Sequence, residues 1–163
     1  MPRVVASNRH ALGERSAIMN LALVTLERGR IVRSAELARD SLELSQNIGD
    51  DGSATTVRCI EIAAQILGSM ESTATAVSVL AAATRRREEL GAPRPDIEQP
   101  EIDRVLQGAR TALAPSVFEA TWSRGRALPI NRPSSWRLRA SWGWSRPARA
   151  DSDCVQSAYR ARL

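Results

Sequence analysis

The sequence predicts an all-α fold of antiparallel helical hairpins, stacked side by side as an α-solenoid and followed by an irregular C-terminal tail. Two stretches superimpose when one is shifted by 42 residues. Ile18, Leu21 and Ala22 fall on Ile60, Ala63 and Ala64, and Ser34, Leu37, Ala38, Ser41 and Ile48 fall on Ala76, Val79, Leu80, Ala83 and Leu90. Self-similarity at such a period marks stacked helix pairs. The matched residues are small or aliphatic and lie mostly three or four apart, which puts them along one helical stripe with the charges on the other side. Composition points the same way: the chain of 163 residues is 43% hydrophobic but only 4% aromatic, so Ala, Leu, Val and Ile must build the core. Small aliphatic residues favour close-packed helices.

The first helix is expected to begin near Ser16 and to run through Ile18, Leu21, Ala22 and Leu26 until Gly29 interrupts it. The second spans about 32–47, with Leu37, Leu44 and Ile48 inward, and Gly49 supplies a stop that tolerates positive φ. Asp50, Asp51, Gly52 and Ser53 form a turn. A third helix over about 54–67 buries Val57, Ile60, Ala63, Ala64 and Leu67. A fourth, over about 72–90, ends in Arg85, Arg86 and Arg87 and is closed by Gly91. Cations in a last turn complement the helix dipole, so this Arg triplet reads as a solvated end rather than a ligand site. Three prolines between 92 and 100 make a rigid connector, with Asp96 placed to cap the next helix. That fifth helix, over about 98–113, buries Ile102, Val105, Leu106 and Ala109. Pro115 opens a sixth, whose Val117, Phe118 and Trp122 form an aromatic cluster of core character.

The charge is unevenly placed. Net charge is +5, yet sixteen Arg face sixteen Asp and Glu through Leu128, while seven Arg face two Asp beyond it. Lys is absent, which excludes a Walker A lysine, a Schiff-base lysine and a kinase-type phosphate-contacting lysine. His10 is the single histidine and has no nucleophile elbow to serve, and no close Cys, His or carboxylate spacing offers a metal site. No catalytic residue, cofactor or metal is therefore expected. Neither end of the sequence carries a signal-peptide or membrane-spanning run, and Cys59 and Cys154 read as free thiols, so a cytoplasmic protein is expected, with Cys59 a small core residue.

The runs Leu90-Gly91-Ala92-Pro93, Arg110-Thr111-Ala112-Leu113 and, most specifically, Phe118 to Trp122 followed by Gly125-Arg126-Ala127-Leu128 carry a resemblance. Over about residues 11–128 the chain resembles the C-terminal part of large actinobacterial signalling proteins. These join an ATP-binding, STAND-type module to tetratricopeptide-like repeats, many with a LuxR-type helix-turn-helix domain at the far end and some with an adenylate or guanylate cyclase domain at the near end. Gly29 at the inter-helix turn and Ile48-Gly49-Asp50 at the hairpin exit resemble that repeat as well. The 42-residue period is longer than that of a strict tetratricopeptide repeat, and the proline at the repeat end is missing. The resemblance implies a transcriptional-regulator lineage and a non-catalytic interaction or sensing module, a detached C-terminal piece without its ATPase or its DNA-binding output.

Family members continue after Gly-Arg-Ala-Leu with an acidic, Ala-rich helix, whereas this chain continues Pro129-Ile130-Asn131-Arg132-Pro133 into an Arg-, Ser-, Trp- and Pro-rich stretch. The expected organisation is an N-terminal arm over 1–15, a helical repeat domain over 16–128 and a disordered tail over 129–163, foreign to the family and explicable by a frameshift in a GC-rich gene. The alternative is a small nucleic-acid-binding regulator, with Arg132, Trp136, Arg137, Arg139, Trp142, Trp144 and Arg146 contacting phosphate and bases. Otherwise the partner is a protein or peptide, either a second copy or an upstream ATPase or repeat module, with DNA engaged only indirectly and no membrane. Ile18, Leu21 and Leu26 on the first helix form the expected interaction face, left open where an upstream hairpin would cover it.

Overall fold

The computed structural model of the chain describes residues 2–50 and 52–129. Among them it is all-helical: α1 (Pro2–Glu27), α2 (Ile31–Asn47), α3 (Ala54–Ser69), α4 (Thr73–Leu90), α5 (Gln99–Ala112) and α6 (Pro115–Arg126), with a 3-10 turn at Asp96–Glu98 before α5. No described helix is long and apolar enough to cross a membrane.

The backbone itself recurs at an offset of 42 residues. Positive φ occurs at Gly29 (71°) and Glu71 (61°), and again at Gly49 (71°) and Gly91 (58°). The turn hydrogen bonds recur too: Arg30 N donates to Thr25 O and Ser72 N to Leu67 O, while Asp50 N donates to Ser45 O and Ala92 N to Arg87 O. In each case an amide just past the helix reaches back five residues, which satisfies carbonyls that the helix end would leave bare. Three of the four left-handed positions are glycine, the residue that takes this conformation without steric cost.

α1 packs on α2, α2 on α3, and α3 on α4, while α5 lies against both α3 and α4 and α6 against α4. The repeat stripe is largely buried: Ala22 and Ala64, Ser34 and Ala76, Leu37 and Val79, Ala38 and Leu80, and Ser41 and Ala83 are all inside. At two of these stripe positions the first hairpin has serine where the second has alanine. Ser34 donates to Ala22 O at 2.7 Å and Ser41 to Arg15 O at 3.1 Å, so these hydroxyls are hydrogen-bonded across the close α1–α2 contact. α3 is the centre of the molecule, buried continuously from Thr56 to Leu67 except at Arg58. Ser53 caps it by accepting from Thr56 N at 3.2 Å.

Against α4, α6 approaches so closely that a Cβ on Gly125 would stand 2.4 Å from Ser78 O and 2.8 Å from Ala81 Cβ. This is the physical reason for glycine in the Gly-Arg-Ala-Leu run. Phe118 and Trp122 stack with centroids 6.2 Å apart, and Arg110 lies 4.8 Å over the Phe118 ring. Phe118 is buried, but Val117 is exposed and outside the cluster expected for it.

Two expectations need correction. α1 begins at Pro2, not near Ser16, so the described part of residues 1–15 is helical rather than an arm. A single glycine at position 13 is tolerated inside a helix, and Arg15 is anchored into the α2–α3 turn. The Arg triplet is also not simply a solvated end. Arg86 donates to Gly52 O at 3.0 and 3.2 Å, and Arg87 is buried.

Candidate functional site

Two buried polar groups and one open face stand out. The first group is centred on Glu61, which is fully buried on α3. Arg87 of α4 grips it bidentately, Nε to Oε1 at 2.7 Å and Nη2 to Oε2 at 2.8 Å. From the proline connector, Arg94 donates to the same Oε1 at 3.0 and 2.7 Å. Glu98 lies 3.7 Å from Arg87 and pairs with Arg58 at 3.1 Å. The Glu61 carboxylate pushes the Arg87 guanidinium further toward its charged form, chiefly through the hydrogen bonds. With α3, α4 and the proline connector converging on one carboxylate, the arrangement fastens the connector and the 3-10 turn onto α3 and α4.

The second group joins α1 to the α2–α3 turn. Arg15, 2% exposed, pairs with Asp50 and donates to Thr56 Oγ1 at 3.2 Å. Ser53 Oγ donates to Asp50 Oδ2 at 2.9 Å, and the Thr56 hydroxyl donates to Asp50 O. A cleft of about 580 Å³ opens beside this group, lined by Leu12, Arg15, Ile48, Asp50, Ser53 and Thr55 among others. Its cation and anion neutralise each other, so the cleft offers shape and hydrogen bonds rather than net charge. Cys59 lies nearby, with its sulfur 3.5 Å from Ser41 Oγ. Burial pushes the thiol above its usual range, against the smaller opposing effects of Ser41, Arg15 and Arg58, which keeps it protonated and unreactive at neutral pH.

The open face is on α1. Of the three residues expected there, Leu21 is 52% exposed, Ile18 is half-buried against the core, and Leu26 is 7% exposed and inside. Leu26 is therefore a core residue, because its side of α1 is the one that rests on α2. Val24, 40% exposed, takes its place beside Leu21. The residues expected to contact nucleic acid, Arg132, Trp136, Arg137, Arg139, Trp142, Trp144 and Arg146, lie outside the described residues. Among the described residues no three His, Cys, Asp or Glu gather as metal ligands.

No family model, curated protein or solved structure matches the chain.

Sequence reasoning missed both buried polar groups. Glu61 is the single acid within the apolar run from Cys59 to Leu67, a signal that this side chain has no solvent face to occupy. Arg15 gave no comparable signal, because its partner Asp50 is 35 residues away and lies in a turn that looks solvated.

Proposed function

We propose that the chain is a non-catalytic helical-repeat module, tetratricopeptide-like in its stacking, that holds or senses a protein partner in a LuxR-type regulatory lineage. One observation carries the reading: α1–α2 and α3–α4 share turn geometry and buried stripe at a 42-residue offset, yet only the first leaves its outer face open. A stacked array ends in such faces, and each takes what the next unit would supply. The polar groups support the same reading, since both join neighbouring segments.

Tandem duplication of residues 30–71 tests the reading. A stacking repeat accepts the additional 42 residues as another hairpin, so the longer chain should keep its helical content per residue and melt cooperatively at an equal or higher temperature. An unfolded or aggregated product would contradict stacking. The nucleic-acid alternative is tested by titrating labelled random-sequence duplex DNA at two salt concentrations. Steeply salt-dependent binding that vanishes on truncation after Leu128 would favour the alternative.

A further inference from the structure

The exposed side of α1 has a pattern of its own. Glu14, Ala17, Leu21, Val24 and Arg28 are spaced three, four, three and four residues apart, the spacing of a coiled-coil seam, and all five are exposed. Arg28 stays in register because its amide donates to Val24 O at 3.2 Å. Of the residues 42 positions on, Thr56, Cys59, Ala63 and Ile66 are buried on α3, and Met70 just past its end is half-buried against the core. The preceding hairpin covers at least part of them: Arg15 of α1 reaches Thr56 and Ser41 of α2 reaches Cys59. The same seam thus meets helices on α3 and solvent on α1.

We propose that a second copy of this chain covers the α1 seam, α1 packing antiparallel on α1 about a two-fold axis through Leu21. This deepens the interaction-module reading by naming the partner of its open face. The charges choose the partner and the direction. Glu14 and Arg28 each lie seven residues from Leu21, on opposite sides, and neither forms an ion pair with another described side chain. Antiparallel pairing sets Glu14 opposite Arg28 of the partner subunit and, by symmetry, Arg28 opposite the partner's Glu14. Parallel pairing would set like charges together at both ends. Between them the small Ala17 meets the larger Val24 of the partner subunit, again twice, and Leu21 meets its own copy. Each contact occurs with its symmetry mate, as an isologous interface requires. Charge pairs at the rim of such a seam set direction more than affinity.

Sedimentation equilibrium on the full chain tests the proposal. Wild type should pass from monomer to dimer, and no further, as concentration rises. Leu21→Glu should be monomeric throughout and should melt as dilute, monomeric wild type does, because this side chain does not belong to the monomer's core. Glu14→Arg and Arg28→Glu should each weaken dimerisation by about tenfold by facing like charges across both ends. The double reversal should restore the wild-type dissociation constant. A wild type that stays monomeric at the highest concentration overturns the proposal, as does a dimer indifferent to Leu21→Glu or a double reversal no better than the single variants. Such a failure leaves the duplication experiment to decide the repeat reading separately.

Discussion

The two hairpins are one backbone carrying two solutions to stability. Both turn through left-handed residues at matching positions and both bury the same stripe. The second is enclosed: α3 has α1 and α2 on one side and α4 and α5 on others, and it is inside along almost its whole length. The first is half enclosed, since α1 rests mainly on α2 and leaves Leu21 and Val24 in solvent. Their polar content differs accordingly. Glu61 and Arg87 stand 42 residues beyond Met19 and Ser45, which are buried without any charge. The enclosed hairpin thus carries an ion pair buried at both partners between its two helices, where the half-enclosed one has no charge at the equivalent positions and only the Arg15–Asp50 pair at its exit turn. The difference is the connector: Arg94 and Glu98 of the long segment after α4 converge on the Glu61–Arg87 pair, whereas the short turn after α2 is held by Arg15 of α1 through Asp50.

Both hairpins are most sensitive at the shared stripe. Leu37→Asp and Val79→Asp should each destabilise the chain by at least about 4 kcal/mol, by burying a carboxylate without a partner. Val79→Asp is expected to be the worse because α4 also supports α6. Denaturant unfolding would show it, and equal midpoints to wild type for both would dissolve the register.

Next in size is the ion pair. Glu61→Met gives the second hairpin the residue of the first, and should cost about 3 kcal/mol because Arg87 and Arg94 lose a common buried anion. Adding Arg87→Ser should recover part of that loss, with a coupling on the order of 1 kcal/mol in a double-mutant cycle. Strict additivity would mean that the two side chains act independently despite their bidentate contact.

The inter-helix turns offer a smaller contrast with opposite signs. Gly29→Ala places a side chain at φ 71° and should destabilise by about 1 kcal/mol, whereas Glu71→Gly relieves φ 61° and should gain up to about 1 kcal/mol. Thermal melts of the two variants shifting in the same direction would contradict the equivalence of the turns.

Smallest is the surface pair of Glu88 with Arg126, which ties α6 to the end of α4 at 2.7 Å. The Arg126 hydrogen bonds hold the Glu88 carboxyl below its usual range. A lowered carboxyl contributes stability above its unfolded value and loses it as pH falls through the folded one. Glu88→Gln, which installs the residue found at Gln46 in the first hairpin, should therefore slightly lower the melting temperature at neutral pH. The variant and wild type should converge in acid or in high salt. A gap that persists in acid would mean that the pair is not what Glu88 contributes.

Most helix boundaries were legible because their signals are local. Gly49 and Gly91 end α2 and α4, Ser53 opens α3 and Pro115 opens α6, each by chemistry that acts within a few residues. The stripe was legible because period and shift agree. The features that escaped were long-range. Leu26 turned inward because α1 is rotated to seat it on the core, which spacing alone does not set. Arg15 and Glu61 took buried places because their partners, Asp50 and Arg87, arrive from other segments at separations of 35 and 26 residues. Arg87 looked like a dipole-complementing surface cation for the same reason. The start of α1 escaped because charge without periodicity resembles a frayed arm until Arg15 is seen in its turn.

If the hairpin unit is closed on α3 and open on α1, native-state hydrogen exchange at low protein concentration will separate the two helices most directly. The amides of Cys59, Ala63 and Ile66 should exchange only through global unfolding, while those of Ala17, Leu21 and Val24 should exchange at least about tenfold faster through local opening. Equal protection at the two sets would contradict it, since the first hairpin would then be as fully enclosed as the second.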